Sequence, residues 1–397
     1  MTSSTRSNRP KPLAGVRVLD LTRLLPGPMC TLYLADLGAD VVKIEDTGAG
    51  DYARGFGVAE GETSPFFELL NRNKRAMRLD LKQPAGRDVL LRLARDADVL
   101  VESFRPGVMA RLGVGYEVLA ASNPRLVYCA ITGFGQDGPY RDRAGHDINY
   151  LGYAGALDQI GNAGGPPAIA NIQIADLLGG SLPAAIGILA ALLDARATGR
   201  GRLVDVAMTD AVAAHLVFPM IAHRLHGHTR PRGEDVITGA MPYYNTYRTA
   251  DGRYMAVGAM EPKFWDAMCD ALARPDLKPR QAPASAQESA AVKDELARIF
   301  ASRTQAEWIE VFAGHDCCVT PVRTLEEAMR DPQLSMRGVF RDDGCGGVDL
   351  APPFKLSGMP FECERPAPAP GEHTDEILRQ AGYDDSGIAR LRREGVV

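Results

Sequence analysis

The first two hundred residues alternate short β-branched runs with segments of helical periodicity, and that alternation constrains the fold more than any other feature. Val16–Leu21 (VRVLDL), Asp40–Glu45 (DVVKIE), Asp98–Phe104 (DVLVESF) and Leu126–Thr132 (LVYCAIT) are the kind of apolar, β-branched run expected of strands buried on both faces. Between them Cys30–Leu37 and Gly86–Ala97 read as helices. In the second, Val89, Leu90, Leu93 and Ala94 oppose Arg87, Asp88, Arg92 and Arg95. Strands alternating with helices require crossover connections, so the chain is of the α/β class with a parallel sheet. Leu177–Arg196 reads as a long apolar helix and Leu203–Met208 as a further strand.

The texture changes beyond about His223. A His-, Arg-, Gly- and Pro-rich stretch leads into Tyr243–Arg248 and Tyr254–Ala259, which flank Asp251-Gly252 as the arms of a hairpin. Helical segments follow at 262–273, 288–302 and 305–314. With 397 residues there is room for two to three domains. We place a large α/β domain at 1–205, a linker at 206–240 and a small domain at 241–330. The proline-rich tail, 331–397, is expected to be extended and to wrap back over the large domain.

Charge and composition exclude several functions. Lys and Arg number 45 against 50 Asp and Glu, a net charge of −5, where nucleic-acid and anionic-membrane binders usually carry a basic excess. The polar opening, MTSSTRSNRPKP, carries no leader-like apolar core. Leu177–Leu193 falls just short of the ~18 residues of a spanning helix and contains Gly179, Gly180, Ser181 and Pro183, so it reads as a buried helix. Seven cysteines without Cys-x-x-Cys spacing suit reduced thiols in the cytoplasm.

Gly133-Phe-Gly135-Gln-Asp-Gly138 fits a dinucleotide fingerprint, but Pro139, Arg141, Asp142 and Arg143 follow where a helix with an apolar face should open. It reads instead as a loop that lets the backbone approach something closely. His223, His226 and His228, and His315 with Cys317-Cys318, lack metal-ligand spacing, and no metal is expected. His146, on the loop after a parallel strand, falls at the carboxyl edge of the sheet, where α/β proteins bind ligands. Asp176 precedes the most apolar run of the chain. As a helix cap its pKa would fall, whereas apolar surroundings would raise it, and composition leaves cap and catalyst both open. Glu261, followed by Pro262, is likewise a helix-start acid.

Five segments together carry a resemblance: Pro12-Leu-Ala-Gly-Val-Arg-Val-Leu-Asp20, Leu37-Gly-Ala-Asp-Val-Val-Lys-Ile-Glu45, Asn71-Arg-Asn-Lys-Arg75, Glu102-Ser-Phe-Arg-Pro-Gly107 and Gly145-His-Asp-Ile-Asn-Tyr150. As a set they resemble the class III CoA-transferase (CaiB/BaiF) superfamily over nearly the whole chain. Gly145–Tyr150, the segment ending in Asp176, Pro242–Tyr247 and Tyr254–Pro262 are similar to its α-methylacyl-CoA racemase branch. The resemblance implies an interlocked homodimer with a Rossmann-like large α/β domain and a smaller α+β domain. It implies an acyl-CoA substrate and no metal, flavin or nicotinamide.

In the racemase branch the α-carbon of a 2-methylacyl-CoA thioester loses and regains a proton through an enolate. By resemblance His146 and Asp176 carry the protons, Glu261 holds the imidazole, and Asp147 positions the thioester through its N–H. The transferase branch instead uses the aspartate matching Asp176 as a nucleophile that becomes an aspartyl-CoA thioester. The glycine-rich loop that often accompanies that chemistry is absent, and Gly258-Ala-Met-Glu-Pro262 stands there. A third reading is a non-catalytic acyl-CoA-binding protein. For CoA the resemblance points to Arg23, Leu24, Leu25, Lys74, Arg75, Arg105 and Arg111. Where the family often places a phosphate-binding arginine after Lys-Ile-Glu, this chain has Asp46, so either another cation substitutes or the diphosphate is held less tightly.

Overall fold

The computed structural model describes residues 10–58, 63–342 and 347–397; the polar opening at 1–9 and Cys345 lie outside them. The chain divides into two compact units. One gathers the chain up to Ala154, Asn171–His215 and Gly338–Val397; the other gathers Gly155–Ala170 and Leu216–Arg337.

The first unit is built on β1 (Arg17–Leu21), α1 (Pro26–Asp36), β2 (Asp40–Glu45), β3 (Lys74–Arg78), α2 (Pro84–Arg95), β4 (Val99–Glu102), α3 (Val108–Arg111), β5 (Val127–Thr132), α4 (Asp147–Tyr153), α5 (Leu182–Thr198), β6 (Leu203–Ala207) and α6 (Met208–Ala214). The six strands form one parallel sheet in the order β3-β2-β1-β4-β5-β6. Chain order reverses between β1 and β4, and at such a switch point the carboxyl ends of the strands open a crevice. Leu19, Val42, Val89, Leu90, Leu100 and Tyr128 share one core with Ile377 and Leu378 of the tail.

β3 is absent from the apolar pattern because its sequence is Lys-Arg-Ala-Met-Arg, yet Lys74 and Arg75 are buried. Ion pairs make that burial tolerable. The Lys74 ammonium meets Asp20 Oδ2 at 3.2 Å, Pro28 O at 2.9 Å, Thr31 Oγ1 at 2.8 Å and Asn71 Oδ1 at 3.0 Å. Beside it Lys43 pairs with Asp51 at 2.7 Å, both side chains sealed from solvent.

The tail does return to the first unit. Asn73 N–H donates to Arg365 O (2.9 Å), His373 N–H to Ala76 O (2.9 Å) and Asp80 N–H to Val396 O (2.8 Å). It is not wholly extended, since it folds into short helices at Thr374–Gln380 and Asp385–Arg393.

The second unit pairs β7 (Tyr244–Arg248), β8 (Tyr254–Gly258) and β9 (Val319–Pro321) in an antiparallel sheet. Gly252 takes φ 78° at the hairpin turn, a value that glycine adopts without strain. Helices Pro262–Ala271, Ala286–Phe300 and Gln305–Phe312 cover it, around Trp265, Phe300 and Trp308. Within 206–240 the chain is helical at α6 and again at Val217–His226.

Candidate active site

Beyond β5 the chain passes through the glycine loop to α4. His146 is the N-cap of α4, in extended conformation, and its N–H donates to Asn149 Oδ1 at 3.0 Å. The residue is exposed. Asp147, next in the chain, turns its carboxylate toward a different segment: Oδ1 accepts the backbone N–H of Asp176 at 3.0 Å. His146 and Asp176 thus flank one hydrogen bond.

Asp176 is not the cap of an α-helix. The helix begins earlier, with Ile174 as N-cap in helical conformation, and Ala175–Ser181 forms a π-helix before α5. Two glycines show why this turn sits so tightly. A β-carbon at Gly179 would stand 2.8 Å from Met208 O, and one at Gly180 would stand 2.9 Å from Pro26 Cβ. Ser181 Oγ donates to Pro26 O at 2.8 Å and reaches Asp176 O at 3.1 Å, tying the wide turn to α1. Such bulges recur at functional sites. Asp176 therefore lies within the turn, where burial first and the Asp147 charge second push its carboxyl up to about 7. The opposition left open by composition ends in favour of desolvation.

The glycine motif serves packing. A β-carbon at Gly133 would stand 2.2 Å from Tyr150 Cε1, so the close approach is that of a tyrosine ring. Gly135, at φ 84°, donates its N–H to Thr132 Oγ1 at 3.0 Å and ends the strand. No helix opens there; α4 begins only at Asp147.

The cations expected near CoA divide into two groups. Lys74 and Arg75 face inward. Lys74 holds the oxygens named above, and Arg75 forks onto Asp40 at 2.9 and 2.6 Å while reaching Glu376 and Gln380, each at 2.9 Å. Arg105 and Arg111 are exposed. Arg111 Nη1 and Arg141 Nη2 stand 3.2 and 3.8 Å from where a β-carbon at Gly107 would be, so two guanidiniums converge on the turn after β4. Sequence reasoning missed Arg141; its only signal was its place just after the glycine loop. Arg23 pairs with Asp46 at 2.6 Å, its guanidinium 5.5 Å from the Tyr52 ring centre and 5.6 Å from that of Phe104. Leu24 adopts φ 63° and donates its N–H to Asp51 Oδ1 at 3.0 Å, and Leu25 is the N-cap of α1.

Glu261 belongs to the second unit, where it is exposed and stands at the N-cap position of the helix Pro262–Ala271 without a side-chain capping bond. Among the described residues no group of three or more His, Cys, Asp or Glu side chains is placed to hold a metal ion.

Residues 13–374 match the model of CoA-transferase family III. The chain belongs to this family. The family III chain is 39% identical to human alpha-methylacyl-CoA racemase over 388 residues, 97% of each protein. It is 32% identical to human succinyl-CoA:glutarate CoA-transferase over 400 residues, 98% of this chain and 91% of the relative. A CaiB/BaiF family protein from Brucella suis superposes with a TM-score of 0.82 at 30% identity, over 94% of this chain and 100% of that one. The protein is therefore an acyl-CoA enzyme of family III, and its sheet, glycine loop and α4 are parts of that scaffold.

Proposed function

We propose that this enzyme interconverts the two configurations of 2-methylacyl-CoA thioesters. The observation that carries the reading is the Asp176 carboxyl, raised to about 7, in a residue whose backbone N–H is held by Asp147, the residue that follows His146. Such a group both takes and gives a proton at neutral pH, whereas a carboxylate nucleophile is best kept ionised.

The α-proton of a thioester is too weakly acidic to leave unless charge on the carbonyl oxygen is stabilised. With His146 as base, the α-proton passes to the imidazole, the C–H electron pair moves into the enolate, and protonated Asp176 delivers its proton to the opposite face. In the reverse direction the two exchange roles. The Asp147 N–H would donate to the thioester oxygen, and Glu261 would hold the imidazolium. The exposed Arg105 and Arg111, with Arg23 and the backbone of Leu24 and Leu25, would hold CoA. Lys74 and Arg75 would act by fixing the strand beneath.

Two further readings accompany this one. A homodimer would cover apolar residues left exposed: Ile186 and Leu193 on α5 are 67% and 69% accessible, and Leu225 in the second unit is 71% accessible. Six described cysteines, all unpaired, suit a reducing cytoplasm.

The experiment is α-proton exchange. With a branched acyl-CoA in D₂O, the substrate gains deuterium at the α-carbon and loses chirality, and His146→Ala suppresses both. If no branched acyl-CoA exchanges while a carboxylate acceptor gives turnover and an adduct on Asp176 by intact mass, the enzyme is a transferase, as its 32% identical relative is named.

A further inference from the structure

We propose that Tyr150 is a positioning residue for His146, locking the peptide that precedes it by a hydrogen bond from the phenol. This inference rests on the racemase reading and extends it to a residue outside the proton-carrying set.

Tyr150 lies one turn into α4 and is 7% exposed. Its hydroxyl donates to Gly145 O, the carbonyl of the peptide that enters His146. The ring is seated between two glycines. A β-carbon at Gly133 would stand 2.2 Å from Cε1, and one at Gly145 would stand 2.7 Å from the same atom. Phe134 meets the ring edge-on at 5.4 Å. The two bare glycines admit the rigid ring and let its terminal donor reach the loop carbonyl. The result is a loop carbonyl anchored to a helix that the loop itself begins.

The anchor bears on chemistry through geometry. The extended backbone of His146 sets the direction of its imidazole, and the Gly145–His146 peptide is the hinge from which that direction follows. A proton carrier displaced by ~1 Å can lose about a hundredfold in rate, so fixing this peptide matters more for turnover than for binding. The donor also persists. Burial and then the Asp176 charge push the phenol up to about 12, against a smaller opposing effect of Arg105, so it stays protonated at neutral pH.

The test uses the full-length enzyme and α-proton exchange. Tyr150→Phe keeps the ring and removes the donor. We expect kcat to fall about tenfold with KM within about twofold, the pattern of a lost transition-state alignment. A second variant places 3,5-difluorotyrosine at 150, which keeps ring and hydroxyl but ionises at lower pH. Above the Asp176 limb near 7 that both enzymes share, its exchange rate should show a second alkaline decline that the wild type lacks, since a phenolate cannot donate to Gly145 O. A purely structural tyrosine would leave that profile unchanged. Wild-type kcat in Tyr150→Phe, or a wild-type pH profile in the fluorinated enzyme, overturns the inference. If Tyr150→Phe fails to fold, the fluorinated enzyme alone gives the answer. Absence of exchange in the wild type, with any branched thioester, removes the racemase reading and this role with it, an outcome distinct from either variant's failure.

Discussion

The carboxylate of Asp147 accepts the backbone N–H of Asp176 at 3.0 Å, and its charge raises the pKa of the acid whose backbone it holds. One side chain therefore does two separable things. It ties the π-helix to α4, and it keeps Asp176 partly protonated at neutral pH.

Asp147→Asn separates them. The amide oxygen still accepts the N–H, but the negative charge is gone. The Asp176 titration should move from about 7 toward lower pH by about one unit, the scale of a single nearby charge. The kcat-against-pH profile of exchange checks this. A limb that stays in place shows that burial alone sets the value.

Asp176 should cost the fold stability. Its value of about 7 stands above the ordinary 3.8, so the folded protein favours the neutral acid. Stability is intact below about pH 4 and is lost as pH rises through 7, because ionisation is easier in the unfolded chain. Asp176→Asn cannot ionise. It should abolish exchange and yet be more stable than wild type at pH 8, by at most about 4 kcal/mol for a three-unit shift. The two should converge at pH 4. Urea unfolding at both pH values measures the difference, and a variant less stable at pH 8 contradicts the burial argument.

Lys74 and Arg111 should fail in opposite ways. Lys74→Ala leaves the fully buried Asp20 carboxylate without its cation, and removing one partner of a buried pair costs about 3–5 kcal/mol. Arg111→Ala removes an exposed guanidinium, a change in stability within about 0.5 kcal/mol. The first should lower the unfolding midpoint in urea. The second should raise KM for acyl-CoA with the midpoint unmoved. Equal destabilisation by both would place Arg111 in the scaffold.

How much of this was legible in the sequence depends on where the information lies. Asp40–Glu45 is a strand in sequence and structure alike, because β-branched residues buried on both faces declare themselves locally. β3 does not, since its lysine and arginine are made tolerable by Asp20, Asp40 and Glu376, all distant in the chain. Asp176 looked like a cap because an acid precedes an apolar run. The π-helix that displaces it depends on how closely Gly179 and Gly180 approach Met208 and Pro26. The role of Gly133 is equally tertiary: its missing β-carbon makes sense only once Tyr150 fills the space.

Arg23 and Asp46 pose the last question, because the salt bridge between them occupies a cation expected to serve CoA. Their side chains are 26% and 39% exposed, and an ion pair so placed is worth about 0.2–1 kcal/mol. Tyr52 and Phe104 lie within cation–π range of the guanidinium, so it need not swing away when its partner is neutralised. Asp46→Asn retains an acceptor for the N–H groups of Gly48 and Gly50, now at 2.8 and 3.1 Å, and frees the Arg23 charge. If Arg23 is the cation that substitutes at the diphosphate, KM for acyl-CoA should fall by up to about fivefold, the upper end of that pair energy. The gain should shrink at high salt, where exposed charges are screened. Arg23→Ala should raise KM. Unchanged KM in both variants would show that the diphosphate does not meet this pair.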